Sequence, residues 1–87
     1  MSDISKVLHV FIRNREKVLF DEDVQSISSR NEKGIFDILP LHSNFISLVE
    51  QRLILQRIDG TKNEIQVSNG ILRVIENRVE VYIGVHQ

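Results

Sequence analysis

The amino-acid sequence predicts an all-β fold, and its composition and its apolar pattern carry that prediction. Of the 87 residues, 30 are Ile, Leu or Val, and the chain contains no Ala. Because Ile and Val favour strands and Ala is the strongest helix former, this composition favours β structure. Apolar residues also occur in short runs, with a polar or turn-forming break about every ten positions. We therefore predict eight or nine short strands in an antiparallel sandwich or barrel.

The first half of the chain supplies half of these strands. An apolar run at Val7–Ile12 is followed by the polar Asn14–Glu16 and a second apolar run, which indicates a hairpin. Asp21–Asp23 predicts a polar break before an alternating segment. Gly34 then opens a short strand, which Pro40 ends because proline cannot donate a hydrogen bond to a neighbouring strand.

The middle of the chain contains two apolar runs, Asn44–Val49 and Leu53–Ile58, separated by Glu50–Arg52. The segment from Ser43 to Arg52 is the one serious competitor for a helix, because Phe45, Leu48, Val49 and Arg52 fit one helical face. Alternation favours a strand there, and Ile46 fits that alternation.

Three further breaks divide the last third of the chain. Asp59-Gly60 predicts a type I′ hairpin turn, in which both central residues have positive φ. Asn69-Gly70 predicts a second turn of the same kind. The polar Glu76–Arg78 separates the final two apolar runs.

Composition also limits the possible function. The chain has 11 basic and 12 acidic residues, a net charge of −1 and no Cys. An electrostatic nucleic-acid binder and a thiolate metal site are therefore not expected. No apolar run approaches the roughly 20 residues that span a bilayer. Met1–Lys6 lacks the layout of a signal peptide. We expect residues 1–87 to form a single sandwich domain, ordered over about 6–84 with short flexible termini.

Candidate catalytic residues are few. His9, His42 and His86 lie far apart in the sequence, without the spacing of metal ligands. His9 is expected in a strand and His86 in a disordered tail. Asp21–Asp23 lacks the alternating pattern of a calcium loop, so a solvated turn is expected. Arg13, Arg15 and Lys17 are expected at a solvated hairpin tip, and no glycine-rich phosphate loop is present. The sequence predicts no catalytic, metal or cofactor-binding residue.

Four motifs resemble, in order and spacing, those of the epsilon subunits of F-type ATP synthases. Gly34–His42 resembles the Gly-x-Phe-Gly-Ile-Leu-Pro-x-His segment of that family. Val18–Ile27 resembles its earlier Val-Leu-Phe and Val-x-Ser-Val motifs. Val67–Val74 is similar to its Val-Ser-Gly-Gly-Phe-Leu-Glu-Val segment, and Asn77–Val81 to its closing Asn-x-Val-Thr-Val. The resemblance extends from about Lys6 to Ile83 and implies a β-sandwich of about ten short strands.

The resemblance also implies a role without chemistry of its own. In this family the sandwich is a rotor subunit of the central stalk, where it couples the gamma subunit to the c-ring during ion-driven ATP synthesis. That role implies a peripheral location at the cytoplasmic face of the bacterial inner membrane, with no small-molecule substrate, cofactor or nucleic acid. By position in the matched segment, the c-ring-facing candidates are Glu32, Lys33, Gly34 and Ile35. The gamma-facing candidates are Leu41, His42, Ser43, Asn44, Phe45 and Ser47.

Several positions depart from the family pattern. Asp37 replaces a Gly, Ser43-Asn44 replaces Ala-Pro, and Glu50-Gln51 replaces Pro-Gly. Because Gln resists positive φ, we expect the turn near Gln51 to differ. The sequence ends at Gln87, where family members continue into a helical hairpin. The resemblance therefore implies no inhibition of ATP hydrolysis through such a hairpin.

Two other hypotheses stay open at this point. The departures from the family pattern are compatible with a free-standing sandwich adaptor that binds a different protein. A small hydrolase or metal protein built on His42 and Asp37 is the least favoured hypothesis, because neither residue has an evident nucleophile or orienting partner in the sequence.

Overall fold

The structure is a computed structural model that describes residues 7–84. This part of the chain is all-β, as predicted, and contains no helix. Its strands are β1 (Leu8–Arg13), β2 (Val18–Asn31), β3 (Gly34–Ile38), β4 (Phe45–Arg57), β5 (Lys62–Ile75) and β6 (Arg78–Ile83). The expectations for Met1–Lys6 and His86 concern positions outside the described residues.

The number of continuous strands differs from the eight to ten short ones expected. Six strands are present in residues 7–84, because β2, β4 and β5 each run through a position where a break was predicted. Register shifts interrupt the pairing of β2 with β4 near Ser26 and Arg30, and that of β4 with β5 near Gln51. An extra residue at such a bulge bends a strand without ending it. One bent strand therefore occupies the place of two short ones.

The sheet closes on itself. The order is β1-β6-β5-β4-β2-β3, and β1 also pairs with β2. Along one edge of β2, the first half pairs with β1 and the second half with β3, while β4 lies on the other edge. All pairs are antiparallel except β1 with β6, which is parallel. The predicted antiparallel architecture thus contains one parallel pair, because directions cannot alternate all the way round a closed ring of the five strands β1, β6, β5, β4 and β2.

The core is built from alternating positions on all six strands. Fifteen apolar side chains are buried, and each strand contributes at least one of them. Leu8, Val10 and Ile12 on β1 and Val79 and Val81 on β6 are fully covered. Since successive side chains of a strand point to opposite faces, the residues between them lie on the outside.

Two segments that were predicted to separate strands lie within strands. Asn69-Gly70 lies within β5, so the predicted turn there was wrong. Gly70 has no positive φ, and a Cβ at this position would lie 2.9 Å from the carbonyl oxygen of Tyr82. Glycine is therefore needed for the close approach of β5 to β6. Asp21–Asp23 lies within β2, paired with β1, so the predicted solvated turn was also wrong.

Three hairpin turns occur where a break was predicted, but their chemistry differs from the expectation. At Asp59-Gly60 only Gly60 has positive φ (91°), and its N–H donates to Arg57 O at 2.9 Å. This is a longer hairpin loop and not the predicted type I′ turn. Positive φ at both central residues occurs instead at Glu76 (49°) and Asn77 (62°). In the first hairpin, the Asn14 side chain accepts hydrogen bonds from the N–H groups of Glu16 and Lys17 at 2.8 Å.

Gln51 has a φ of 73° at the β4 bulge. We expected Gln to resist this conformation and the local turn to change. The expectation that Gln51 would avoid positive φ was wrong, because Gln51 itself adopts the left-handed conformation. The pairing of β4 on both sides of the bulge holds it there.

Candidate partner-binding surface

Four large apolar side chains lie together on the outside of the closed sheet. Leu48 on β4, Ile71 on β5 and Tyr82 on β6 are direct cross-strand neighbours. Ile46 lies two residues before Leu48 on the same face of β4. Their exposed fractions are 68% for Ile46, 70% for Leu48, 51% for Ile71 and 50% for Tyr82. We refer to these four residues as the apolar stripe. Single exposed apolar residues are ordinary, but a contiguous set across three strands is typical of an interaction surface.

Strand alternation divides the first residues of β4 between its two faces. The gamma-facing candidates Phe45 and Ser47 are half-buried, whereas Ile46 and Leu48 point outward. Phe45 packs edge-to-face on Phe36, with ring centroids 5.5 Å apart, and it packs against the core. The family motif named Phe45 and Ser47, whereas the side chains that β4 exposes on its outer face here are those of Ile46 and Leu48.

The remaining gamma-facing candidates lie in the loop between β3 and β4. Leu41 is 73% exposed with a φ of 69°. Its N–H donates to Asn77 Oδ1 at 2.6 Å, which joins this loop to the β5–β6 turn. The half-buried His42 donates from Nδ1 to the carbonyl oxygen of Ser43 at 2.7 Å and packs edge-to-face on Phe45. Ser43 and Asn44 are exposed.

The c-ring-facing candidates form the tip of the β2–β3 hairpin. Glu32 and Lys33 are exposed, and Gly34 has a φ of 124°. Ile35 is 76% exposed, the largest fraction among the exposed large apolar side chains of residues 7–84. The structure thus places all four residues at one accessible end of β2 and β3.

Asn31 connects the two sets of candidates. Its Oδ1 accepts a hydrogen bond from Lys33 N–H at 2.8 Å, and its Nδ2 donates to Ser47 Oγ at 2.9 Å. A groove of about 420 Å³ lies beside this link, between the β2–β3 hairpin and the first half of β4. Hydrogen bonds through Asn31 therefore connect the hairpin tip to the first half of β4. The sequence motifs do not reveal this role of Asn31.

Another part of the outer surface is charged, and its charges are paired. The His9 ring lies between two carboxylates of β2, with Nδ1 2.8 Å from Asp23 Oδ1 and Nε2 2.7 Å from Asp21 Oδ1. The hydrogen bond to Asp23 raises the pKa of His9 above its ordinary value; burial opposes the rise and Asp21 adds to it. A protonated ring can donate to both carboxylates, whereas a neutral ring donates from one nitrogen. We call this group the His9 clasp.

These arrangements contain no recognisable catalytic constellation among residues 7–84. No group of three or more His, Cys, Asp or Glu residues in this range could hold a metal ion. Asp37 accepts a hydrogen bond from the Ser28 hydroxyl, and His42 bonds to Ser43, so the two residues of the enzyme hypothesis have separate partners. Within the same range, no helix is long and apolar enough to cross a membrane.

A small closed β-sheet with a contiguous exposed apolar stripe is typical of a domain that binds other proteins. Residues 7–84 match the family described as ATP synthase, Delta/Epsilon chain, beta-sandwich domain. The chain therefore belongs to this family, and the resemblance noted in the sequence is confirmed.

Similar curated proteins are named ATP synthase epsilon chain. The protein from a Nitratiruptor species is 32% identical over 69 residues, which cover 78% of this chain and 54% of that protein. The protein from Campylobacter fetus subsp. fetus is 26% identical over 77 residues, covering 87% of this chain and 60% of that protein. The chain thus spans about half the length of the curated relatives it matches.

Two solved structures share the fold. A chain in the cryo-EM structure of the Euglena gracilis mitochondrial ATP synthase with its c-ring has a TM-score of 0.85 at 19% identity, covering 94% of this chain and 53% of that chain. A chain in the Tetrahymena thermophila mitochondrial ATP synthase central stalk and c-ring structure has a TM-score of 0.74 at 13% identity, covering 90% and 63%. At these identities the similarity establishes the fold.

Proposed function

We propose that this chain is a non-catalytic rotor subunit in the central stalk of an F-type ATP synthase. In this role it binds the gamma subunit and contacts the c-ring, so that rotation passes between them during ion-driven ATP synthesis. Its location is then peripheral, at the cytoplasmic face of the bacterial inner membrane. Family membership supports the proposal, as does the fold that this chain shares with chains of ATP synthase structures that include the c-ring.

The apolar stripe is the observation that carries this proposal. The stripe exposes Leu48, Ile71 and Tyr82 side by side on rigid strands. Stable protein interfaces cover about 800 Å² on each partner and have an apolar centre with a polar rim. We assign the stripe to the gamma-facing surface, together with the exposed Leu41. This assignment moves the centre of the surface from Phe45 and Ser47 to their outward neighbours.

Transmission of torque requires the two contact regions to move as one body. The β2–β3 tip, with Glu32, Lys33, Gly34 and Ile35, is the proposed c-ring side. Asn31 bonds both to Lys33 in this tip and to Ser47 in β4. A hydrogen-bonded sheet with this side-chain tie has little freedom to bend between the two sides. The single domain proposed for residues 1–87 matches such a role.

The test is reconstitution with the gamma subunit from the same genome. We expect co-purification and a one-to-one complex by titration calorimetry, and addition of the c-ring should give a ternary complex. Leu48→Asp should prevent complex formation, whereas Ile58→Asp should not, since Ile58 is exposed in the distant β4–β5 hairpin. Failure of the folded wild-type chain to bind either partner would contradict the proposal and favour the adaptor hypothesis.

A further inference from the structure

Arg30 occupies an unusual position among the cations of the described residues. It lies on the outer face of β2, directly opposite Ile35 of β3, with β4 on its other side. A pocket of about 110 Å³ opens beside it. The walls of the pocket include Arg30, Arg52, Ser28, Ile35, Gln51 and Ile54.

The Nε of Arg30 is buried and makes no hydrogen bond within residues 7–84. The two arginines of the neighbouring β4 are paired: Arg52 with Glu64 at 3.4 Å and Arg57 with Glu22 at 3.0 Å. A buried N–H of a charged group is costly when nothing accepts its hydrogen bond. Arg30 thus contributes to the pocket wall a guanidinium whose covered Nε has no acceptor among residues 7–84.

The pocket fits a carboxylate. A guanidinium presents parallel N–H groups that match the two oxygens of a carboxylate. A volume of about 110 Å³ corresponds to about four water molecules at roughly 30 Å³ each, which suits a side-chain carboxylate. The walls formed by Ile35 and Ile54 suit the methylene groups of an acidic side chain. Ile35 remains 76% exposed beside the opening.

We propose that Arg30 receives the carboxylate of an aspartate or glutamate side chain from a protein that packs against the β2–β3 end. The pocket shares Ile35 with the hairpin tip assigned above to the c-ring side. The location of the acidic residue on that side of the rotor thus rests on the proposed function. The affinity of the pocket for a carboxylate depends on this chain alone.

The experiment is a titration of the isolated chain followed by NMR, with the side-chain Nε–H of Arg30 as the reporter. The probes are N-acetylglutamate amide, its uncharged counterpart N-acetylglutamine amide, sodium acetate, and sodium chloride at matched ionic strength. We expect a saturable shift with the glutamate probe, half-complete on the order of 10 mM. Acetate should bind several-fold more weakly because it lacks the methylene groups. The glutamine probe and chloride should give small, non-saturating shifts.

Variants separate the pocket from general charge effects. Because the Nε–H signal is lost when Arg30 is replaced, the backbone amide of the neighbouring Ile35 is the reporter for the variants. Arg30→Lys keeps the positive charge but lacks the parallel N–H groups of a guanidinium, and it should abolish the saturable shift of this amide. Arg57→Lys is the matched control and should keep that response, because Arg57 lies on β4 outside the pocket. Well-dispersed amide spectra establish that each variant is folded.

Three results would overturn the inference. Equal responses to the glutamate probe and chloride would mean general ionic screening. Acetate binding as tightly as the glutamate probe would point to a small free carboxylate and not to a protein side chain. In the absence of any probe, the Arg30 Nε–H signal should be the same in Glu50→Gln as in the wild type. A different signal in the variant would mean that Glu50, the partner of Arg30 in the strand register, already accepts its hydrogen bond. None of these results bears on gamma binding through the apolar stripe, so the two proposals fail separately.

Discussion

Two regions of the outer surface differ in the side chains that they expose to water. Around the His9 clasp, charged outward-facing residues find partners within the chain: His9 between Asp21 and Asp23, and Arg57 beside Glu22. In the apolar stripe, outward-facing residues are apolar and remain uncovered. Water solvates the first region without penalty, whereas the second leaves apolar area in water that a partner can cover. The difference indicates which side of the closed sheet is available for assembly.

The sharpest test of this comparison uses two adjacent residues of β5. Leu72 is fully buried, whereas Ile71 is 51% exposed. Leu72→Ala should lower the free energy of unfolding by about 2–5 kcal/mol, because it leaves a cavity in the core. Ile71→Ala should change it by about 0.5 kcal/mol or less. Urea denaturation of both variants measures the contrast, and similar losses would mean that Ile71 belongs to the core.

A charge placed in the stripe should affect binding and spare folding. Ile71→Asp should weaken the gamma complex by about 2 kcal/mol or more, roughly 30-fold in Kd, because a carboxylate would be buried at the interface. Ile58→Asp is a matched control, since Ile58 is 53% exposed outside the stripe. Calorimetric titration of both variants is the measurement. Equal weakening by the two substitutions would remove the stripe from the interface.

Gln51 lies at the β4 bulge, just beyond the apolar stripe. Its left-handed backbone is strained for a residue with a side chain, and a substitution can remove that strain. Gln51→Gly should raise the free energy of unfolding by about 0.5–1 kcal/mol, because relief of a left-handed backbone exceeds the added flexibility of the unfolded chain. The matched variant Gln56→Gly, at a β4 position without positive φ, should lower it instead. Denaturation midpoints check both signs. A loss of stability in Gln51→Gly would mean that the Gln side chain stabilises the bulge.

The smallest expected effect is the pH dependence of stability that the His9 clasp contributes. The folded pKa of His9 lies above its unfolded value of about 6.5, so the clasp stabilises the protein fully below that pH. Its contribution should disappear as the pH rises through the folded pKa. Because the His9 side chain is 43% exposed, we expect only a few tenths of a kcal/mol between pH 6 and pH 8.

The control for the clasp is His9→Gln, which cannot become charged. The stability difference between the wild type and this variant should shrink as the pH rises from 6 to 8. A difference that grows over this range would contradict the assignment. Proton titration of the His9 ring by NMR gives the folded pKa directly, with Asp23→Asn expected to lower it more than Asp21→Asn.

Local sequence patterns predicted much of this fold because turns and core positions depend on nearby residues. Asn14, Pro40, Asp59-Gly60 and Glu76–Arg78 all lie at or beside the predicted strand ends. Alternation also distinguishes buried from exposed positions once the strand is known. It was sufficient to find the stripe: Ile46 and Leu48 alternate with Phe45 and Ser47, but the family motif drew attention to the latter.

Other features depend on distant residues and were not predictable from local patterns. Asn69-Gly70 has the composition of a turn, yet β5 continues through it because β4 and β6 pair on either side. Asp21–Asp23 has the composition of a loop, yet it forms a strand because β1 supplies both backbone pairing and the His9 ring.

The β-class, the family and the principal hairpins were readable in the amino-acid order, because composition, alternation and turn residues act over a few positions. The place where the sheet closes, and the side chains that meet across it, depend on contacts between distant strands. A bulge shifts every later side chain to the other face, and closure joins strands from opposite ends of the chain. The apolar stripe joins β4, β5 and β6, the His9 clasp joins β1 and β2, and the Arg30 pocket lies among β2, β3 and β4, so each depends on how the strands pair.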